Sequence, residues 1–181
     1  FSKDGRWMLI LTPPGFQTVE QIAQPVLGVA TVRINPITNT TVSENTGTFK
    51  SVVVKDLKTN KDFSIAGLPS DLHLSDINWS SKDGVFAFLN KTLKDTELWV
   101  VDLNTLSARK ILSKVNDTFG KTLQWKKDGE TLLVQQVNAS RGDVPQKSVV
   151  PTGPIVQENL GGVTPSRTYQ HLLANAHDEA L

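Results

Sequence analysis

Trp79-Ser80-Ser81-Lys82-Asp83-Gly84, with Val85-Phe86-Ala87-Phe88-Leu89 behind it, is the stretch that decides the fold. It has two copies. Phe1-Ser2-Lys3-Asp4-Gly5 leads into Arg6-Trp7-Met8-Leu9-Ile10, and Trp125-Lys126-Lys127-Asp128-Gly129 leads into Glu130-Thr131-Leu132-Leu133-Val134. Each reads as an aromatic ending one strand, a short polar link, Asp-Gly, and an apolar run forming the next strand. Asp-Gly marks a hairpin because glycine tolerates positive φ and the Asp carboxylate bonds its own backbone. The middle copy has one more residue between aromatic and Asp-Gly than the others, which predicts a looser turn there. A unit repeated in this way suggests the blades of a β-propeller, the alternative being three unrelated hairpins.

The spacing favours blades. Gly84 to Gly129 is 45 residues, within the roughly 40–45 of one blade. Gly5 to Gly84 is 79, and setting aside the 36 residues from 13 to 48 leaves 43. A second match supports the unit: Val53-Val54-Lys55-Asp56-Leu57-Lys58-Thr59 and Val100-Val101-Asp102-Leu103-Asn104-Thr105 fall at the third-strand position of successive units. The expectation is an all-β chain, a partial β-propeller of about two and a half blades. Blades span 1–138, interrupted by the insertion 13–48. Residues 139–181 form a Pro/Gly-rich connection and a short helix within the same domain.

Within the insertion, Pro13-Pro14-Gly15 stops the first strand. Thr18 is an N-cap with Gln21 three residues on, the pattern of a capping box, and Val19, Ile22 and Ala23 share one face of the short helix that follows. Residues 26–34 are β-prone. Residues 35–48 are the most polar stretch and read as a loop. After Asn138, four of the nine prolines fall between 139 and 167, which disfavours strands. Ser166 or Thr168 could cap a helix over residues 169–175.

Hydrophobic content of 38% and charged content of 20% fit a folded globular chain, neither disordered nor membranous. A formal charge of +1 gives no electrostatic case for nucleic acid, and no apolar run reaches the ~20 residues of a membrane span. The absence of cysteine excludes disulfides, thiol catalysis and cysteine metal sites. The chain opens on Phe rather than Met, inside a repeat whose preceding strand is missing. It is therefore read as a fragment, with room for a targeting segment upstream. The compartment stays open, with periplasm or secretion favoured for a bacterial host.

Ser140-Arg141-Gly142-Asp143-Val144-Pro145-Gln146-Lys147, continuing through Val150-Pro151-Thr152-Gly153-Pro154, resembles one group of proteins. So do Leu27 to Pro36 with the helix before them, Arg167-Thr168-Tyr169-Gln170-His171-Leu172-Leu173, and Asp178-Glu179. The group is the N-terminal propeller of glutamyl-peptidase-like serine peptidases of the prolyl oligopeptidase clan. The resemblance implies that the propeller caps an α/β-hydrolase domain carrying Ser, Asp and His, and that the parent enzyme cleaves peptides after Glu. It implies a peptide substrate, with the α/β-hydrolase domain and the remaining blades as partners. No catalytic residue is assigned here, since no G-x-S-x-G nucleophile elbow occurs in the 181 residues. The segment alone is expected to be non-catalytic, gating and lining the cleft, and to need no cofactor. The alternative is a propeller that serves only as a binding scaffold of a periplasmic or cell-surface protein.

Arg33, Arg141 and Arg167 are the candidates for meeting an acidic side chain, because guanidinium binds carboxylate bidentately; structural ion pairing is the competing role. Arg141-Gly142-Asp143 spells an adhesion tripeptide but reads better as a turn. His171 and His177 lie six apart, off the spacing of one helix face, so no metal site is assigned. Trp79, Trp99 and Trp125 are read as packing aromatics at equivalent positions. Asn39, Asn90, Asn116 and Asn138 each begin a glycosylation pattern, which arises by chance in a chain rich in Asn, Ser and Thr.

Overall fold

The computed structural model describes residues 1–29, 32–42, 47–146, 161 and 176–180. In chain order the elements are β1 (Trp7–Thr12), α1 (Val19–Ile22), β2 (Leu27–Val29), β3 (Val32–Asn35), β4 (Thr40–Thr41), β5 (Ser51–Asp56) and β6 (Lys61–Phe63). They continue with β7 (Leu74–Trp79), β8 (Val85–Lys91), β9 (Thr96–Asp102), β10 (Ser107–Leu112), β11 (Leu123–Trp125), β12 (Leu132–Val134) and α2 (Ala176–Ala180). The chain is all-β, and among the described residues the strands form four small antiparallel sheets: β1-β5-β6, β10-β9-β8-β7, β11-β12 and β2-β3-β4. The helix expected over 169–175 and most of the 139–167 stretch lie outside the described residues, as does Arg167.

The three Asp-Gly turns close alike. The N–H of Ser2, Ser80 and Lys126 bonds the carbonyl of the residue five positions on, Trp7, Val85 and Thr131, at 2.8–2.9 Å, which leaves a four-residue loop in each case. Gly5, Gly84 and Gly129 have φ of +71°, +72° and +71°, the left-handed region where glycine carries no Cβ penalty. The middle turn is therefore no looser than the others. Its loop has the same length, and the glycine has moved from third to fourth place. The Asp carboxylate takes its own turn's backbone donors in the outer copies: Asp4 from Arg6, and Asp128 from Glu130 and Thr131. In the middle copy the Ser80 hydroxyl accepts the Lys82 N–H instead.

The β10-β9-β8-β7 sheet lies between two others. Residues alternate sides along a strand. Phe86 and Phe88 pack with Trp7, Val52 and Val54 of the first sheet, while Ala87 and Leu89 pack with Val115 and Leu123 on the other side. Every residue from Val85 to Asn90 is buried, which explains an apolar run that does not alternate with polar residues: both faces of β8 are covered. Polar bonds join the layers at their edges. Phe49 and Leu74 exchange backbone bonds, Trp125 Nε1 donates to the Asn78 carbonyl, and the Ser80 and Ser81 hydroxyls donate to the Gly129 and Lys127 carbonyls.

Trp79 and Trp125 are equivalent, each ending the first strand of its sheet and pairing with the residue seven positions on. Trp99 is not. It sits in β9, the third strand of its sheet, with its ring stacked on Phe88. Trp7 is buried, with the Arg6 guanidinium 4.4 Å above its ring.

β1 pairs directly with β5 over six positions, Trp7↔Asp56 to Thr12↔Ser51. The chain between them leaves the sheet and returns. Thr18 and Gln21 form the reciprocal capping box, but the apolar side chains of α1 do not pack inward: Val19 and Ile22 are exposed. The 35–48 stretch is not a plain loop. β3 and β4 form a hairpin in which Asn35, Thr38, Thr40 and, beyond it, Thr48 are buried. Its polar side chains bond the chain itself: Asn35 Oδ1 accepts the N–H of Ile37 and Thr38, and the Thr38 and Thr40 hydroxyls lie 2.9 Å apart.

Glu97 couples three strands. Its carboxylate accepts from Lys110 Nζ (2.6 Å), Asn90 Nδ2 (3.0 Å) and Trp99 Nε1 (2.9 Å). Burial is the largest single influence and pushes its pKa up, but the lysine and the two hydrogen bonds together outweigh it and hold the group below its ordinary 4.5. A depressed carboxylate stabilises the fold above its unfolded pKa, and that contribution is lost as pH falls through the folded value. Glu97→Gln is expected to cost on the order of 1 kcal/mol at pH 7. The gap to the parent protein should close toward pH 3, as read from urea midpoints at the two pH values.

Candidate functional site

A cleft of about 690 Å³ is floored by β3, β4 and the turn between them. Residues opposite each other on paired strands share a face. The register sets Arg33 against Gly28 and Asn35 against Thr40, and the Val42 N–H bonds the Arg33 carbonyl. Arg33, Asn35, Thr40 and Val42 therefore lie on one face, and all four line the cleft. Gly28 has no side chain to cover the Arg33 stem. The opposite wall comes from the far ends of the other sheets: His73, Lys91 to Leu93, and Asp117 to Gly120. Gln17, Gln21 and Ile22, in and just before α1, close one side.

Two tethers fix the hairpin. Thr41 N–H donates to the Asp117 carbonyl (3.1 Å), and Asp117 N–H to the Asn39 carbonyl (2.8 Å). Thr41 Oγ1 donates to the Thr118 carbonyl and Thr96 Oγ1 to the Thr38 carbonyl. On the outer side, Arg141 donates to the Pro36 carbonyl (3.2 Å) and to Asn39 Oδ1. Arg141 thus holds the 36–39 turn and does not line the cleft. Of the two described arginines among those singled out in the sequence, Arg33 lines it and Arg141 does not.

The charges of the far wall are paired, one lysine serving two carboxylates, and keep a net formal charge of −1. Lys91 Nζ lies 2.7 Å from Asp117 Oδ2 and 3.1 Å from Asp76 Oδ2, and Thr122 Oγ1 donates to the other Asp117 oxygen. Burial pushes the Lys91 ammonium toward a lower pKa, but the two carboxylates outweigh it and raise it above 10.5. Asp76 reaches Lys91 from an irregularity in β7, between Ser75 and Asn78, where its own φ is +51°. His73 Nε2 sits 3.0 Å from Asp71 Oδ1. Arg33 is exposed and has no hydrogen-bond or ion-pair partner among the described residues, which leaves its guanidinium open to a ligand. Sequence reasoning missed Lys91, Asp76 and Asp117: positions 15 and 26 residues from the lysine have no local signature, and only the fold brings them together.

The four glycosylation-pattern asparagines are engaged within the fold. Asn90 is 1% exposed and bonds the His73 N–H and Glu97. Asn116 and Asn138 accept from Thr118 and Ser140, and Asn39 accepts from Arg141. Among the described residues no group of three His, Asp or Glu side chains could hold a metal ion, and no helix is long and apolar enough to cross a membrane. The Asn35 amide and the Thr38, Thr40 and Thr41 hydroxyls are engaged within the chain, so Arg33 is the group the cleft offers most openly to a ligand. The protein belongs, by fold, among all-β chains of layered antiparallel sheets. Compared with known proteins, it matches no protein-family model, no curated protein and no solved structure.

Proposed function

We propose that the layered sheets are successive blades of a β-propeller, and that this segment lines the peptide-entry cleft of a serine peptidase without performing the chemistry. The observation that carries the propeller reading is the recurrence of one four-residue turn, with glycine near φ +71°, at the start of three successive sheets stacked face to face. The peptidase reading rests on the resemblance of residues 27–36 and 140–154 to the propellers of glutamyl-peptidase-like enzymes. The open Arg33 is compatible with it, because an unpaired guanidinium in a cleft is suited to a glutamate side chain. A lid of this kind contributes by excluding water and positioning substrate.

The gene past the Leu181 codon is expected to encode G-x-S-x-G followed by Asp and His, and its full product to cleave after Glu. The 181-residue chain by itself should hydrolyse nothing. A gene that ends without a nucleophile elbow, or a full product that leaves Glu-containing peptides intact, sinks the peptidase reading. A propeller serving as a binding scaffold would then be the better account, since the described residues that line the cleft all fall within 17–120.

A further inference from the structure

Three large apolar side chains stand at the cleft beside Arg33. Ile22, Val26 and Phe119 are 68%, 51% and 57% exposed, and all three line the same cavity. They come from two segments far apart in sequence, the end of α1 with the residues leading into β2, and the turn before β11. Scattered exposed hydrophobics are ordinary on a protein surface, but convergence on one concavity that also holds an unpaired cation marks a binding site. The volume, about 690 Å³, exceeds what a lone carboxylate needs. Among the described residues that line the cleft, Arg33 is the unpaired cation and there is no cluster of free cations, which disfavours nucleotides and polyphosphates. Asp117, the acidic group among them, is paired with Lys91.

We propose that Ile22, Val26 and Phe119 form an apolar shelf that takes a bulky hydrophobic side chain next to the acidic residue held by Arg33, so that the cleft selects a two-residue pattern of one large apolar and one acidic side chain. This inference rests on the cleft being a peptide site. It goes beyond a preference for glutamate by naming what stands beside it. The carboxylate finds its cation on the floor sheet, and the apolar neighbour removes water from side chains that otherwise face solvent.

Three fluorescently labelled pentapeptides test it against the full 181-residue chain by fluorescence polarisation: Glu beside Leu, Glu beside Ala, and Gln beside Leu. The Leu-Glu peptide should bind about tenfold or more tightly than the Ala-Glu peptide. Phe119→Gln should abolish that preference, and Ile22→Gln should reduce it. Arg33→Gln should weaken both Glu peptides about tenfold or more and leave the Gln peptide as it was. All three side chains are exposed, so unchanged circular dichroism and melting are expected for the variants. Equal binding of Leu-Glu and Ala-Glu, or a preference that survives both shelf substitutions, overturns the shelf. Equal binding of Glu and Gln peptides overturns the Arg33 reading and leaves the shelf to be judged on the leucine preference. Self-association lost in Phe119→Gln, with no peptide preference, assigns the patch to a second copy of the chain and also overturns it.

Discussion

Phe88→Ala is expected to cost about 3–5 kcal/mol, among the largest losses any single substitution would produce here. Phe88 is fully buried in the central strand of the middle sheet. Its ring stacks on Trp99 at 6.3 Å and 15°, and lies 6.3 Å from Phe86. On its side of the sheet are Val52, Val54 and Trp7 of the first sheet, so removing the ring opens a cavity between two layers that cannot collapse independently. A domain of this size holds about 5–15 kcal/mol in total, so about a fifth or more of its stability goes with one side chain. The melting temperature should fall by roughly 10 °C, at about 2–4 °C per kcal/mol. Leu133→Ala is the control: it is also an apolar strand residue, but it is half exposed and should shift stability by about 0.5 kcal/mol or less. Phe88→Leu should fall between them. A loss under about 1 kcal/mol for Phe88→Ala in urea unfolding would mean that the first sheet is not seated on the second as described.

What the sequence revealed, and what it hid, divides along physical lines. Gly5, Gly84 and Gly129 were legible because positive φ is a local demand that residue type answers directly. The Val85-Leu89 run was legible for a similar reason, since a strand covered on both faces needs apolar residues at every position. The 35–48 stretch misled because polarity was equated with exposure. Asn35, Thr38 and Thr40 are polar and buried, their oxygens taking up the backbone donors of a tight hairpin. Val19 and Ile22 misled in the opposite sense: sharing a helix face does not guarantee a partner for it. Arg33 could be nominated from chemistry alone, but nothing local distinguished it from Arg141, whose side chain is spent on Pro36 and Asn39. Lys91 and its two carboxylates were invisible, because their meeting is made by three separate segments.

Gly129→Ala separates the two jobs a turn glycine can do. Three glycines share the same φ, so alanine imposes the same left-handed strain at each, about 1–2 kcal/mol. Their surroundings differ. A Cβ at Gly5 meets nothing within 4 Å, and at Gly84 it meets ordinary contacts of 3.4–3.6 Å. At Gly129 it would lie 2.7 Å from the Lys82 backbone nitrogen, 2.7 Å from Ser81 Oγ and 2.9 Å from Ser80 Oγ. Those two hydroxyls are the ones that donate to the carbonyls of Gly129 and Lys127. The third turn must back away from the second, and both bonds stretch or break at about 1 kcal/mol each. The expected order of loss is therefore Gly129→Ala at about 3 kcal/mol or more, with Gly84→Ala and Gly5→Ala near the strain value alone. Denaturant midpoints of the three variants check the order. Ser80→Ala in the Gly129→Ala background supplies the cycle: if the hydroxyl bond is already lost, the second substitution adds little, and the pair should be strongly non-additive. Equal losses at Gly5 and Gly129 would show that strain within each turn is the whole effect. The unequal result shows the third turn, seated on the second, acting as a joint that registers one sheet on the next, a role the Gly5 turn does not share, since a Cβ there would meet nothing within 4 Å.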